Sequence, residues 1–244
     1  MRTTRLYLDQ PLSIGQQVEL DEQAHRHAVQ VLRLRTGAQL ILFNGQGGEY
    51  RAELTLAEKR RSQVIITAFD DHDTHPALSV TLAQGVSKGD RMDYSLQKAT
   101  ELGVSVIQPV LTQRSQAPGD ARRLENRHEH WRGVITSACE QCGRNDLPRL
   151  EPVVTLHDWL AQEHPEGHAL VLDPLADTTL PTLTAPTGEV SLLIGPEGGL
   201  DEEEIAAAHQ QGFRGVRLGP RVLRTETAGA AALAVIQALW GDFK

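Results

Sequence analysis

Apolar residues change their spacing partway along the chain. Up to residue 72 they come in short runs broken by turn residues. Leu40-Ile-Leu-Phe43 leads into Asn44-Gly45 and Gly47-Gly48, and Tyr50-Arg-Ala-Glu-Leu54 follows, which is the pattern of a β-hairpin. Residues 64–69 form another strand-like run. Only residues 21–34 carry helical spacing, with Asp21 placed to cap the first turn. The expectation is a small, mostly β domain over residues 1–72, followed by the polar linker Asp70-Asp-His-Asp-Thr-His-Pro76.

From Leu78 onward strand and helix patterns alternate, the mark of an α/β fold with a mostly parallel sheet. Strands are expected at 78–83, 106–111, 168–172 and 190–194, with a short one starting at Val216. Helices are expected at 91–102, 124–142, 156–162 and 228–240, with another opening at Asp201. Gly103 ends the first of these, and residues 178–188, rich in Thr and Pro, form a connection. A second domain over residues 73–244 results. Helix 228–240 is apolar almost all round and rich in Ala, so it must be buried, inside the fold or against a second subunit.

Two segments of this half share one design. Val190-Ser-Leu-Leu-Ile-Gly-Pro-Glu-Gly-Gly199 and Val216-Arg-Leu-Gly-Pro-Arg-Val-Leu-Arg224 each read as a buried strand followed by a Gly-Pro loop and a helix. Loops at adjacent strand ends of an open sheet make a ligand crevice. The first loop is not built for phosphate. Its helix opens with Asp201, Glu202, Glu203 and Glu204, which would repel an anion there. Neither a P-loop nor a Gly-x-Gly-x-x-Gly spacing is present. A phosphate-free, cationic ligand such as S-adenosylmethionine fits better. Glu197 and Glu226 sit in the two loops and could serve as a base, a cap or an ion-pair partner. Arg114 follows the strand at 106–111, Arg144 closes the long helix, and Arg221 and Arg224 flank Val222-Leu223. Four arginines are thereby expected to face one crevice.

The formal net charge of −8 argues against a generic nucleic-acid coat. The excess lies beyond residue 72, because residues 1–72 carry 9 Arg and Lys against 9 Asp and Glu. Between Lys88 and Arg149, 10 basic residues face 8 acidic ones, which leaves room for a local RNA-binding patch. His25, Arg26, His27, Arg33 and Arg35 are either a solvated helix face or phosphate contacts; sequence alone does not decide. Apolar runs are too short to span a bilayer and the start Met-Arg-Thr-Thr-Arg lacks a signal-peptide core, so a cytoplasmic protein is expected. Cys139-Glu-Gln-Cys142 has metal-ligand spacing, with His128 and His130 upstream. Both cysteines lie within one helix and no second pair exists, so no metal is expected.

The two loop segments resemble the closing motifs of the SPOUT class of RNA methyltransferases. The nearest likeness is to the family that methylates N3 of a uridine in bacterial 16S ribosomal RNA, the RsmE family. It runs through Lys88-Gly-Asp-Arg-Met-Asp-Tyr-Ser-Leu-Gln-Lys-Ala-Thr-Glu-Leu-Gly103, residues 109–115, Trp131 and Glu140-Gln-Cys-Gly-Arg144. At the N-terminus it includes His27-Ala-Val-Gln-Val-Leu-Arg-Leu-Arg35 and Leu42-Phe-Asn-Gly-Gln-Gly47.

The resemblance implies a PUA-like β-barrel that binds RNA, followed by a trefoil-knotted SPOUT domain that works as a homodimer. It implies S-adenosylmethionine as cofactor, without metal or membrane. Carried onto this chain, the cofactor cradle is Leu172, Ile194, Gly195, Pro196, Glu197, Gly198, Leu218, Gly219 and Leu223. Arg114 and Arg224 would steady negative charge, and Glu197 or Glu226 would take the N3 proton. RNA contacts fall to Arg26, Arg33, Arg35, Arg144 and Arg221. Two rivals stand beside this reading. One is a SPOUT enzyme acting on a transfer RNA ribose 2′-hydroxyl, against which the N-terminal half and the 88–103 motif speak. The other is a non-catalytic RNA-binding protein, which would not need the loop glycines.

Overall fold

The computed structural model describes residues 3–115 and 120–243. It divides into two units, Met1–His75 with Cys139–Leu147, and Pro76–Ala138 with Pro148–Lys244.

In the first unit, alternation of apolar and polar residues sets the register of a five-stranded sheet. Its elements are β1 (Thr4–Tyr7), β2 (Gln17–Glu19), α1 (Glu22–His25), β3 (Gln39–Phe43), β4 (Glu49–Ala57) and β5 (Ser62–Asp70). Strand order is β1-β3-β4-β5-β2, with β1 and β3 parallel and the other pairs antiparallel. Leu6, Leu40, Leu42, Leu54, Val64 and Ile66 point to one core. The helical segment differs from the expectation. Asp21 does cap it, accepting from the Ala24 N–H at 2.8 Å. The α-helix ends at His25, and Arg26–Val31 continue as a π-helix. His25 is buried, with Nδ1 2.9 Å from Ser62 Oγ and Nε2 3.3 Å from the Lys59 carbonyl. Ala28, three residues on, is also fully buried in the core of this unit.

The second unit contains β6 (Val80–Gly85), α2 (Gly89–Glu101), β7 (Val106–Leu111), α3 (Ala121–Cys142), β8 (Arg149–Leu150), β9 (Val154–Thr155), α4 (Leu156–Leu160), β10 (Gly167–Leu172), β11 (Glu189–Ile194), α5 (Glu202–Gln210), β12 (Arg214–Val216) and α6 (Thr225–Trp240). The last turn of α3 is grouped with the first unit. All sheet pairings here are parallel, in the order β12-β10-β11-β6-β7-β8, with β9 also on β7. Leu82, Ile107, Leu170, Leu192 and Leu193 are buried along the strands, as expected for a sheet covered on both faces.

Two boundaries matter for the site. β12 ends at Val216, where the sequence pattern placed the start of a strand, so residues 217–224 form one long loop. α6 begins at Thr225 rather than at residue 228, with Arg224 at its N-cap, which puts Glu226 in the first helical turn instead of in the loop. Along α6, Gly229, Ala232, Leu233 and Ile236 are buried on one side. On the opposite side Ala231 and Ala234 are half-buried and Ala238 is exposed, so the helix is not enclosed all round. Among the described residues, no helix is long and apolar enough to cross a membrane.

Candidate active site

Because β12, β10 and β11 are adjacent and parallel, they deliver three loops to the same edge of the sheet. With the start of α6 these loops line a cavity of about 520 Å³. All of Leu172, Ile194, Gly195, Pro196, Glu197, Gly198, Leu218, Gly219 and Leu223 are on its wall, as are Arg221, Arg224 and Glu226. The sequence reading had not included Asp173, Pro174, Arg91 and Thr225, which also line it. Asp173-Pro174 follows β10 just as the Gly-Pro loops follow their strands, so the same logic could have found it.

The loop after β11 is fixed from beneath. Thr225 Oγ1 donates to the Gly195 carbonyl at 2.6 Å, and Gln84 Nε2 donates to Thr225 Oγ1 at 3.0 Å and to the Gly85 carbonyl at 3.1 Å. Gly85 allows this approach, since a Cβ there would lie 2.5 Å from Pro196 N. At its far end the loop enters α5 through a capping box. Glu204 N–H donates to Asp201 Oδ1 at 2.8 Å, and Asp201 N–H to Glu204 Oε2 at 3.0 Å. The other oxygen of Glu204 accepts from the Gln113 N–H at 2.7 Å, and Arg114 Nη1 donates to the Gly198 carbonyl at 2.7 Å. Arg114 therefore braces the loop from behind and is not on the cavity wall.

The two glutamates differ in what they can do. Glu197 Oε1 accepts from the Lys88 N–H at 2.9 Å and lies 3.2 Å from Arg91 Nη1. Partial burial raises its pKa, but the backbone donors and Arg91 outweigh that and hold it below the ordinary carboxylate value. Glu226 Oε2 is buried and has no hydrogen-bond partner among the described residues. An unsatisfied carboxylate oxygen at a cavity wall is costly unless a ligand meets it.

Some expected site residues are elsewhere. Arg144 does not share the crevice. It belongs to the first unit, its side chain is only 8% exposed, and it pairs with Asp146 at 2.5 Å. Arg26, Arg33 and Arg35 are exposed in the first unit, whereas His25 is a structural side chain within it. Burial pushes the Cys139 thiol up to about 12. Among the described residues, the cluster able to approach a cation is Glu49, Asp70 and His72, and Glu49 is held by Arg5.

Comparison with known proteins agrees with this geometry. Residues 74–237 match the RNA methyltransferase domain family, and residues 20–67 match the RNA methyltransferase PUA domain. Ribosomal RNA small subunit methyltransferase E of Buchnera aphidicola (subsp. Schizaphis graminum) is 31% identical over 241 residues, covering 99% of this chain and 98% of the relative. The Bacillus subtilis protein of the same name is 30% identical, covering 88% of this chain and 87% of its own. The crystal structure of the Neisseria gonorrhoeae enzyme of that name, bound to S-adenosyl methionine, superposes with a TM-score of 0.95 at 41% identity over 100% of both chains. A Legionella pneumophila structure in complex with the cofactor SAM gives 0.96 at 40% identity, again over 100% of both. Over nearly its whole length, then, the chain belongs to the ribosomal RNA small subunit methyltransferase E family, and it is an RNA methyltransferase.

Proposed function

We propose that this protein methylates N3 of a uridine in 16S ribosomal RNA, with S-adenosylmethionine as methyl donor. The cavity carries the reading. It is made of loops at three parallel strand ends, two of them glycine-bearing and the third opening with Asp173-Pro174, and the unpartnered Glu226 carboxylate oxygen lies at its wall. The residues suit the cofactor. The volume lies within the roughly 300–1,000 Å³ of small-ligand sites. Asp173 and Glu226 favour a cation, and the acidic first turn of α5 disfavours a phosphate. The relatives crystallised with S-adenosylmethionine support the same choice.

When bound, S-adenosylmethionine supplies a methyl group on a positively charged sulfur, so the chain itself must ready the nucleophile. Uracil N3 carries a weakly acidic proton. Glu226 is the better placed base, because Glu197 is already committed to Lys88 and Arg91. Arg221 and Arg224, exposed at the loop, would steady the negative charge left on N3 and the flanking oxygens. Arg114 would act by positioning the Gly198 backbone. We assign RNA docking to residues 1–72 through Arg26, Arg33 and Arg35. Residues 73–244 would be the catalytic domain, trefoil-knotted and paired with a second copy, in the cytoplasm where ribosomal RNA is made. No role is given to a metal.

Nucleoside analysis of 16S ribosomal RNA tests the reading. A deletion strain should lack 3-methyluridine, wild-type protein should restore it, and Glu226→Gln should not. A deletion strain that keeps this nucleoside and instead loses a ribose-methylated one would overturn it.

A further inference from the structure

The end of the π-helix presents an apolar tip among cations. Val31 is 62% exposed and Leu32 43% exposed, although Ala28, Val29 and Leu34 on either side of them pack into the core. No Asp or Glu occurs between Gln23 and Gly48, while Arg26, His27, Arg33 and Arg35 all do and all are exposed. His25 bonding to the Lys59 carbonyl brings the turn with exposed Lys59 and Arg60 alongside. Among the described residues no carboxylate pairs with Arg26, Arg33 or Arg35.

The backbone holds the tip outward at a cost. The Leu32 N–H returns to the His27 carbonyl at 3.0 Å and the Leu34 N–H to the Ala28 carbonyl at 2.9 Å, which closes the helix end. Between them Arg33 takes φ 54° and is the one non-glycine residue with positive φ among those described. Helices that end this way generally place glycine there, because a Cβ is strained in the left-handed region. An arginine at that position projects a cation beside the apolar pair, where glycine would be easier for the fold. π-Helical turns also occur mostly at functional sites.

We propose that Val31 and Leu32 form an apolar wedge that inserts against unstacked bases of the ribosomal RNA, with Arg26, Arg33 and Arg35 gripping the phosphates on either side. Proteins that kink or open nucleic acid use aliphatic side chains in this way, and bases splayed from a loop or junction offer the apolar face to meet them. Charge selects the partner: an apolar tip flanked in sequence by exposed, unpaired cations matches bases within a phosphate backbone, and a protein partner would have to supply the missing carboxylates. The inference rests on the ribosomal RNA reading above and adds to it the contact that prises the target open.

Binding of the full-length protein to a 16S ribosomal RNA transcript tests it, with cofactor affinity and thermal unfolding as controls. Val31→Ser with Leu32→Ser should weaken binding about tenfold, since the lost apolar contact is worth on the order of one decade in affinity. The slope of log K against log salt should stay the same, because no charge is removed. Arg33→Gly should weaken binding and flatten that slope while raising the unfolding temperature or leaving it alone. This combination separates a ligand contact from a structural role. Leu32→Trp should add fluorescence that the transcript quenches beyond the wild-type change. If wild-type protein binds the transcript and the double serine variant binds equally well, the wedge is refuted and the RNA reading stands. A double variant that changes its oligomeric state instead would assign the tip to a second copy. Wild-type protein with no affinity for the transcript or for the assembled small ribosomal subunit would overturn the ribosomal reading, and the wedge with it.

Discussion

Arg114 Nη1 donates to the carbonyl oxygen of Gly198 at 2.7 Å, linking the loop after β7 to the cavity loop after β11 across 84 positions of sequence. A Cβ on Gly198 would sit 3.0 Å from the Arg114 side chain. Arg114 therefore holds the backbone that lines the cavity. Arg114→Ala should lower S-adenosylmethionine affinity about fivefold, in line with roughly 1 kcal/mol for a charged but exposed hydrogen bond. Titration calorimetry would read this directly. Unchanged affinity with slower turnover would move the arginine to the reacting atoms instead.

Glu226 and Glu197 should separate in a pH–rate study. Glu226→Gln removes the unpartnered carboxylate and should reduce kcat by roughly a hundredfold or more, as expected for loss of a general base. Glu197→Gln should reduce kcat less and mainly loosen its own contacts with the Lys88 N–H and Arg91. Equal losses would undo the assignment of the base.

Glu197 also makes an acid-stability prediction. Its pKa is held below the ordinary 4.5 in the folded protein, so its stabilising contribution is present above 4.5 and disappears as the pH falls through the lower folded value. Wild type should be more stable than Glu197→Gln at neutral pH, and the gap should close on acidification below 4.5. Urea unfolding at a series of pH values would show it. A gap that does not depend on pH would mean that packing, not charge, sets the difference.

The loop glycines act for different reasons. A Cβ on Gly195 would lie 2.7 Å from the Leu200 backbone nitrogen, so even Gly195→Ala should distort the loop and abolish cofactor binding. Gly219 has open space around it but φ +75°, so there the constraint is conformational. Gly219→Asn, which tolerates this region, should bind cofactor far better than Gly219→Val. Parallel calorimetry on the three variants checks the distinction, and equal behaviour of the two Gly219 variants would remove it.

Much of this site was legible because its signals are local. A buried run followed by Gly-Pro marks a strand end, and two such marks in one α/β half located two of the three cavity loops, while the nine wall residues were named from the family resemblance. What escaped depends on contacts distant in sequence or on backbone detail. Nothing near Arg114 announces Gly198. Arg144 looked like a free cation at a helix end, yet Asp146, two residues on, takes its guanidinium in a buried pair. Helical spacing from 21 to 34 could not reveal a π-helical turn, because the apolar positions of an α- and a π-helix differ little over so short a run. Glu226 was misplaced in the loop because Arg224-Thr225 lacks a side-chain cap to mark where α6 begins.

The outer side of α6 carries the last prediction. Thr227, Ala231, Ala234 and Ala238 recur at helical spacing opposite the buried Gly229–Ile236 side, and none of them is buried within the single chain. Nearby Leu239 is 43% exposed, and Val222, at the cavity loop, is 80% exposed. Small side chains let a second helix come close, and the first turn of the same helix puts Glu226 in the cavity wall, so pairing through this side would set a partner copy beside the site. Ala234→Arg should place an unpaired charge in that contact, cost on the order of several kcal/mol and yield monomers. Because Ala234 lies away from the buried side, the monomer should remain folded, which circular dichroism can verify. Sedimentation should then show half the wild-type mass together with weakened cofactor binding. Wild-type protein that sediments as a monomer and methylates at full rate would overturn the dimer, and the outer side of α6 would then simply face solvent.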